Sequence, residues 1–178
     1  MKTKDITISA LFTVFIIICS FIKVPLPYVP FTLQVFAITF TALTLTRLQA
    51  VMAIGTYFLL GFIGIPVFAG GQAGPQVVFS PTFGFLIGFM PMAFVINTLF
   101  SRLRKGKKWL AFVAGELLLY TIALPILYLN LKYHKGVTLP MDKLFISYFL
   151  MFVPTDSLSM LLAYFINDKL PMHSYAKK

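Results

Sequence analysis

The sequence predicts an all-α membrane protein, a bundle of six transmembrane helices with both termini on the cytoplasmic side and a pocket facing outward under external loops. Three observations predict it. Of the 178 residues 59% are apolar and 11% charged, against roughly 45–50% and 25% in a soluble domain, and one globule of this size cannot hide so much apolar surface from water. The apolar residues fall into six runs, and the basic residues sit in short clusters between those runs. A net charge of +10 spread over one folded face would suggest nucleic acid; divided among connections, it reads as a topology signal and excludes that partner. The whole chain, 1–178, is expected to form a single domain in the lipid bilayer.

A helix that crosses about 30 Å of hydrocarbon needs about 20 mostly apolar residues, because its backbone must bond to itself. Six segments qualify: Ile6 to Ile22, Leu33 to Leu45, Ala50 to Val67, Thr82 to Phe100, Trp109 to Leu131 and Leu144 to Ile166. The first follows Lys2 and Lys4 as in a signal peptide, yet no small-x-small cleavage site comes after it, so it reads as a span. Lys23 to Gln34 carries Pro25, Pro27 and Pro30, the composition of a stiff external lid. The second span is short and either enters the membrane late or lies against protein. Between the third and fourth spans, Gly64 to Pro75 is glycine-rich and uncharged; such backbone approaches a ligand closely, folds back over a cavity, or hides a short seventh helix. The next connection, Ser101 to Lys108, holds five positive charges in eight residues, which places it in the cytoplasm. Lys2, Lys4, Arg47, Lys169, Lys177 and Lys178 then fall on the same side, while Lys23, Lys132, Lys135 and Lys143 fall outside. The basic cluster also suits anionic lipid, although anchoring the topology accounts for it.

Several classes drop out. Cys19 is the single cysteine, so no intrachain disulfide or cysteine-based metal site is available. No phosphate-binding loop is present, so ATP hydrolysis is expected in other subunits. His134 and His173 fall on opposite predicted sides and no nucleophile–base pair is visible, so no catalytic residue, metal or cofactor is expected. Internal repeats are also missing, which weakens a carrier built of inverted halves.

Two acids lie inside predicted spans, Glu116 and Asp156. A charged side chain at mid-membrane costs at least about 2.5–3.5 kcal/mol, so each should face the bundle interior and find a partner. Asp156 lies ~18 Å below the outer start of its span and Glu116 ~10 Å above the inner start of its own, at 1.5 Å per residue. Around Asp156, Pro154 frees backbone groups, and Thr155, Ser157 and Ser159 add polar side chains; the acid either reads a ligand or satisfies that backbone. For Glu116, a helix-packing bond competes with a ligand role. Gln34 opens the second span and either presents both a donor and an acceptor to an amide or urea, or caps its own helix.

Three strings, PFTLQVFA at 30–37, GFIGIPVFAGG at 61–71 and SPTFGFLIGF at 80–89, resemble in order and spacing the BioY family, the biotin-specific S components of energy-coupling factor transporters. The resemblance implies a multi-pass protein of a prokaryotic cell membrane that binds biotin from outside. It also implies a membrane coupling protein, the T component, and two cytoplasmic ATPases as partners. Carried over by position, it points to Ala69, Gly70, Gly71 and Asp156 as substrate-binding residues; Gln34 and Thr82 join them as candidates. The family pattern in span six is Gly-Asp-x-x-Lys, whereas this chain has Thr155-Asp156-Ser157-Leu158-Ser159. Ser159 therefore stands where a lysine would pair with the ligand carboxylate, and Lys23 at the mouth is the candidate substitute. Lipoate, of similar size but lacking the ureido group, is the alternative ligand, and Asp156 favours biotin. In S components the first helix carries small residues toward the coupling protein; here Ser9, Ala10 and Thr13 correspond, with packing inside the monomer as the competing use. A stand-alone proton-coupled carrier using Asp156 or Glu116 is the rival from another class.

Overall fold

A computed structural model describes residues 3–25, 29–137 and 140–170. Leu26, Pro27 and Tyr28 of the expected lid, and Lys2, His173, Lys177 and Lys178, lie outside the described residues. Six helices occupy the six apolar segments: α1 Thr3–Phe21, α2 Gln34–Thr44, α3 Arg47–Phe62, α4 Phe83–Arg102, α5 Trp109–His134 and α6 Met141–Lys169. Pro91, Pro125 and Pro154 lie within helices rather than ending them; neighbouring helices in a bundle re-satisfy the backbone groups that a proline frees. By length and composition α1, α4 and α5 can each cross a membrane. Bulky apolar side chains such as Leu11 (64% exposed), Leu158 (67%) and Phe165 (59%) project from the outside of the bundle, an outward face suited to lipid rather than water.

Helix α2 resolves the question of the short second span in favour of packing against protein. Its 11 residues extend only ~16 Å at 1.5 Å per residue, and all of them but Phe36 are buried. Asn97 of α4 finishes it, its Nδ2 donating to the carbonyls of Ala42 at 2.8 Å and Leu45 at 3.0 Å, groups that a helix end otherwise leaves orphaned. The chain then reverses at once, because Thr46 and Gln49 form a reciprocal capping box that starts α3.

Helices α4 and α5 meet through glycine. A methyl group on Gly84 would stand 2.7 Å from the carbonyl oxygen of Ala123, so only a residue without a side chain permits this approach. Helix α1 packs on α3 through its small residues: Ser9 Oγ donates to the Gln49 carbonyl at 3.2 Å and Thr13 Oγ1 to that of Ala53 at 3.0 Å. Both are buried, while Ala10 lies on the exposed side. The small-residue stretch considered for a partner is thus divided, with Ser9 and Thr13 engaged inside the molecule.

The connections at the other end of α2 and α4 are irregular but pinned. Strands β1 Lys23–Val24 and β2 Phe31–Thr32 pair antiparallel. Between α3 and α4, the place considered for a seventh helix holds two short 3-10 turns, Ala69–Gly71 and Pro75–Phe79. Asn130 of α5 fastens the second, its Nδ2 donating to the carbonyls of Val78 and Ser80, both at 2.8 Å. Under the first, the ring of Phe68 covers Gly61, filling the space a Cβ would take.

Candidate functional site

The starts of α2 and α4, the middle of α6 and the two pinned connections line a narrow chamber of about 40 Å³, smaller than the roughly 300–1,000 Å³ common for small-molecule sites, so a ligand of that size requires the walls to move apart. Most of its wall is apolar, with Phe85 and Phe89 one turn apart on α4 and Phe152 on α6. Phe85 meets the ring of Tyr120 edge-on at 6.0 Å and lies 6.2 Å from that of Phe152, so an aromatic cluster fixes the wall.

Few polar groups converge on this chamber. Asp156, 3% exposed, accepts from the Tyr120 hydroxyl at 2.5 Å through Oδ2. Of the roughly four lone-pair positions on a carboxylate, this bond occupies one. Gln34 is held at both ends of its amide, with Nε2 donating to the Tyr57 hydroxyl at 2.6 Å and Oε1 accepting from Thr32 Oγ1 at 3.0 Å. One N–H of that amide has no bond in this network. No side chain caps α2 at its Leu33 N-cap; Thr32 Oγ1 accepts the backbone N–H of Gln34 at 3.4 Å, and the Gln34 side chain does not cap its own helix.

Glu116 lies one turn before Tyr120 on α5 and accepts from Ser157 Oγ at 3.0 and 3.3 Å. Asp156 and Ser157, adjacent on α6, thus each bond to α5. Glu116 is not part of the chamber wall, and its bond ties helix to helix.

Outside the chamber a wider vestibule of about 930 Å³ shares Pro30, Ala69 and Thr82 with it and adds Gly71, His134 and Lys135. Gly70 lies at the rim with φ +76, a left-handed conformation that favours glycine. The Lys23 ammonium stands 3.2 Å from where a Gly70 Cβ would be.

Of the candidates read from sequence, Gln34, Ala69, Thr82 and Asp156 share the chamber wall, Gly71 lines the vestibule, and Gly70 and Lys23 meet beside it. Ser159 stands apart, with its hydroxyl donating to the Thr155 carbonyl at 2.9 Å in its own helix. Sequence reading missed Tyr120, Thr32 and the three phenylalanines. Tyr120 carried a signal, its position four residues after Glu116 on one helical face; the phenylalanines, in a chain with twenty of them, carried none.

Apolar helices around a small, mostly apolar chamber at one end of the bundle point to a helical membrane protein. The chain belongs to the BioY family, whose model matches residues 1–174. It is 41% identical over 127 residues to the biotin transporter BioY of Thermotoga maritima, covering 71% of this chain and 74% of that one. It is also 37% identical over 123 residues to a probable biotin transporter BioY of Pyrococcus horikoshii, covering 68% and 73%. Among solved structures, the crystal structure of the S-component for biotin from an ECF-type ABC transporter has the same fold. That match has a TM-score of 0.72 and 24% identity, and covers 100% of this chain and 95% of the other.

Proposed function

We propose that this protein is the biotin-binding S component of an ECF-type importer, taking biotin from outside and releasing it inward when coupled to a T component and two ATPases. The whole chain, 1–178, is one membrane domain of six spans with both termini in the cytoplasm of a prokaryotic cell. The observation that carries the ligand is the chamber itself, in which an aromatic cage holds a buried carboxylate and a positioned amide. A ureido group has two N–H donors and one carbonyl. The donors suit Asp156 and the carbonyl suits the remaining N–H of Gln34, while Phe85, Phe89 and Phe152 cover the thioether ring. Ala69 and Thr82 mark the passage from chamber to vestibule, with Gly70 and Gly71 beside it.

The ligand carboxylate then points outward. Ser159 bonds its own helix and supplies no charge, so the cations of the outer end take over: Lys23 beside Gly70 and Lys135 in the vestibule wall. A carboxylate there stays partly hydrated, at less cost than one buried against a lone hydroxyl.

A thermal-shift screen of the detergent-purified chain against biotin, lipoate and other vitamins tests this reading. Biotin is expected to give the largest stabilisation, since a ligand bound only by the folded state raises its stability with concentration. A response to lipoate with none to biotin would reassign the ligand and keep the transporter class; uptake by the chain alone, driven by a pH gradient, would replace the class with a proton-coupled carrier.

A further inference from the structure

The opposite end of α2 and α4 holds a second cavity, of about 500 Å³, whose wall includes Thr46, Arg47, Asn97, Phe100, Ser101 and Lys108. Two cations enter this wall and no carboxylate does. The Arg47 guanidinium lies 5.0 Å from the ring centre of Phe94 and the Lys108 ammonium 4.1 Å from that of Phe100, so aromatic faces hold both charges in place. Among the described residues neither is paired with an acid.

Their positions in the helices are unusual. Arg47 is the first residue of α3, and Lys108 immediately precedes α5. The N-terminus of a helix carries partial positive charge, so acids are favoured there and cations oppose the helix. Here two helix starts bring two cations to one cavity; the start of α3 is closed by its Thr46–Gln49 capping box, and no side chain caps the start of α5. An anion in this cavity offsets the two charges, as arginine does with phosphate elsewhere. Asn97 and Ser101 lie in the same wall, but their donors are engaged with the carbonyls of Ala42, Leu45 and Thr98, so Arg47 and Lys108 are the groups that would hold an anion. Next to it, Trp109 is 57% exposed, the placing of an aromatic anchor at the membrane–water boundary.

We infer that this cavity binds a phosphate group and that in the membrane its occupant is the headgroup of an anionic phospholipid. Binding there would brace the α2–α3 corner against α4 and the start of α5. The test compares thermal stability of the full chain in nanodiscs of phosphatidylcholine with and without phosphatidylglycerol, and in detergent with and without inorganic phosphate at matched ionic strength. Arg47→Gln with Lys108→Gln removes the cavity charges, whereas Lys105→Gln with Lys107→Gln removes two exposed charges outside the wall. Phosphatidylglycerol is expected to raise the Tm of the native chain and of the outer double variant by several degrees, and that of the cavity variant by less than half as much. A matching rise with inorganic phosphate alone, lost in the cavity variant, supports the phosphate site and assigns it to free phosphate. Equal losses in both double variants, or none in the cavity variant, would overturn the site in favour of diffuse attraction. The biotin response serves as a folding control, because the chamber lies at the other end of the bundle; should the double variant fail to fold, Lys108→Gln alone carries the comparison.

Discussion

Asp156 owes its importance to where the chain places it. A carboxylate 3% exposed among phenylalanines is costly unless it is bonded; Tyr120 supplies one bond, and in the proposed reading a ligand takes up the rest of its acceptor capacity. Asp156→Asn keeps the shape but puts an N–H donor where the ligand needs an acceptor. A buried donor left unsatisfied costs about 1–3 kcal/mol, so biotin affinity should fall by about tenfold, at 1.4 kcal/mol per tenfold, in isothermal titration. An unchanged affinity would remove Asp156 from the site. Lys135→Met and Lys23→Met address the other end of the ligand. Each is expected to weaken biotin while leaving its uncharged primary amide unaffected, and equal losses for both compounds would place the carboxylate elsewhere. Such a distinction is invisible in sequence, where Ser159 simply looks like a lysine lost.

At the scale of elements, the connections decide more than the helices do. Asn97 satisfies two carbonyls at the end of α2, and Asn97→Ala removes that partner beside the basic cavity. A loss of about 0.5–1.5 kcal/mol is expected, read as a lowered Tm in detergent with biotin stoichiometry retained. Gly84→Ala brings a methyl to 2.7 Å from the Ala123 carbonyl; overpacking of this kind costs roughly 1–3 kcal/mol. Because Gly84 lies between Phe83 and the chamber residue Phe85, that variant should also weaken biotin, whereas Asn97→Ala should not. Helix count and approximate bounds were legible in the sequence because apolar runs and basic clusters alternate along it. The shape of the third connection was not, since glycine and proline announce a turn without specifying which carbonyls Asn130 will hold. The chamber was legible in part: Gln34 and Asp156 stood out as polar residues in apolar surroundings, but joining α2, α4 and α6 around one space depends on packing that no local pattern encodes.

Across the whole molecule, the chamber and the basic cavity lie at opposite ends of α2 and α4. In the proposed topology the basic end faces the cytoplasm, so a single cysteine introduced at Lys105, in a chain whose Cys19 is changed to Ser, should react with an impermeant thiol reagent only after the membrane is opened. Labelling in sealed cells would invert the topology. An S component without its own energy source should hold biotin but not concentrate it, and proteoliposomes of the chain alone are expected to retain no more biotin than binding explains. The measurement closest to the central claim is titration of the purified chain with radiolabelled biotin, with excess unlabelled lipoate as competitor. Saturable binding at one site per chain, displaced by biotin and not by lipoate, is the predicted result; absence of saturable biotin binding by folded protein would contradict the account.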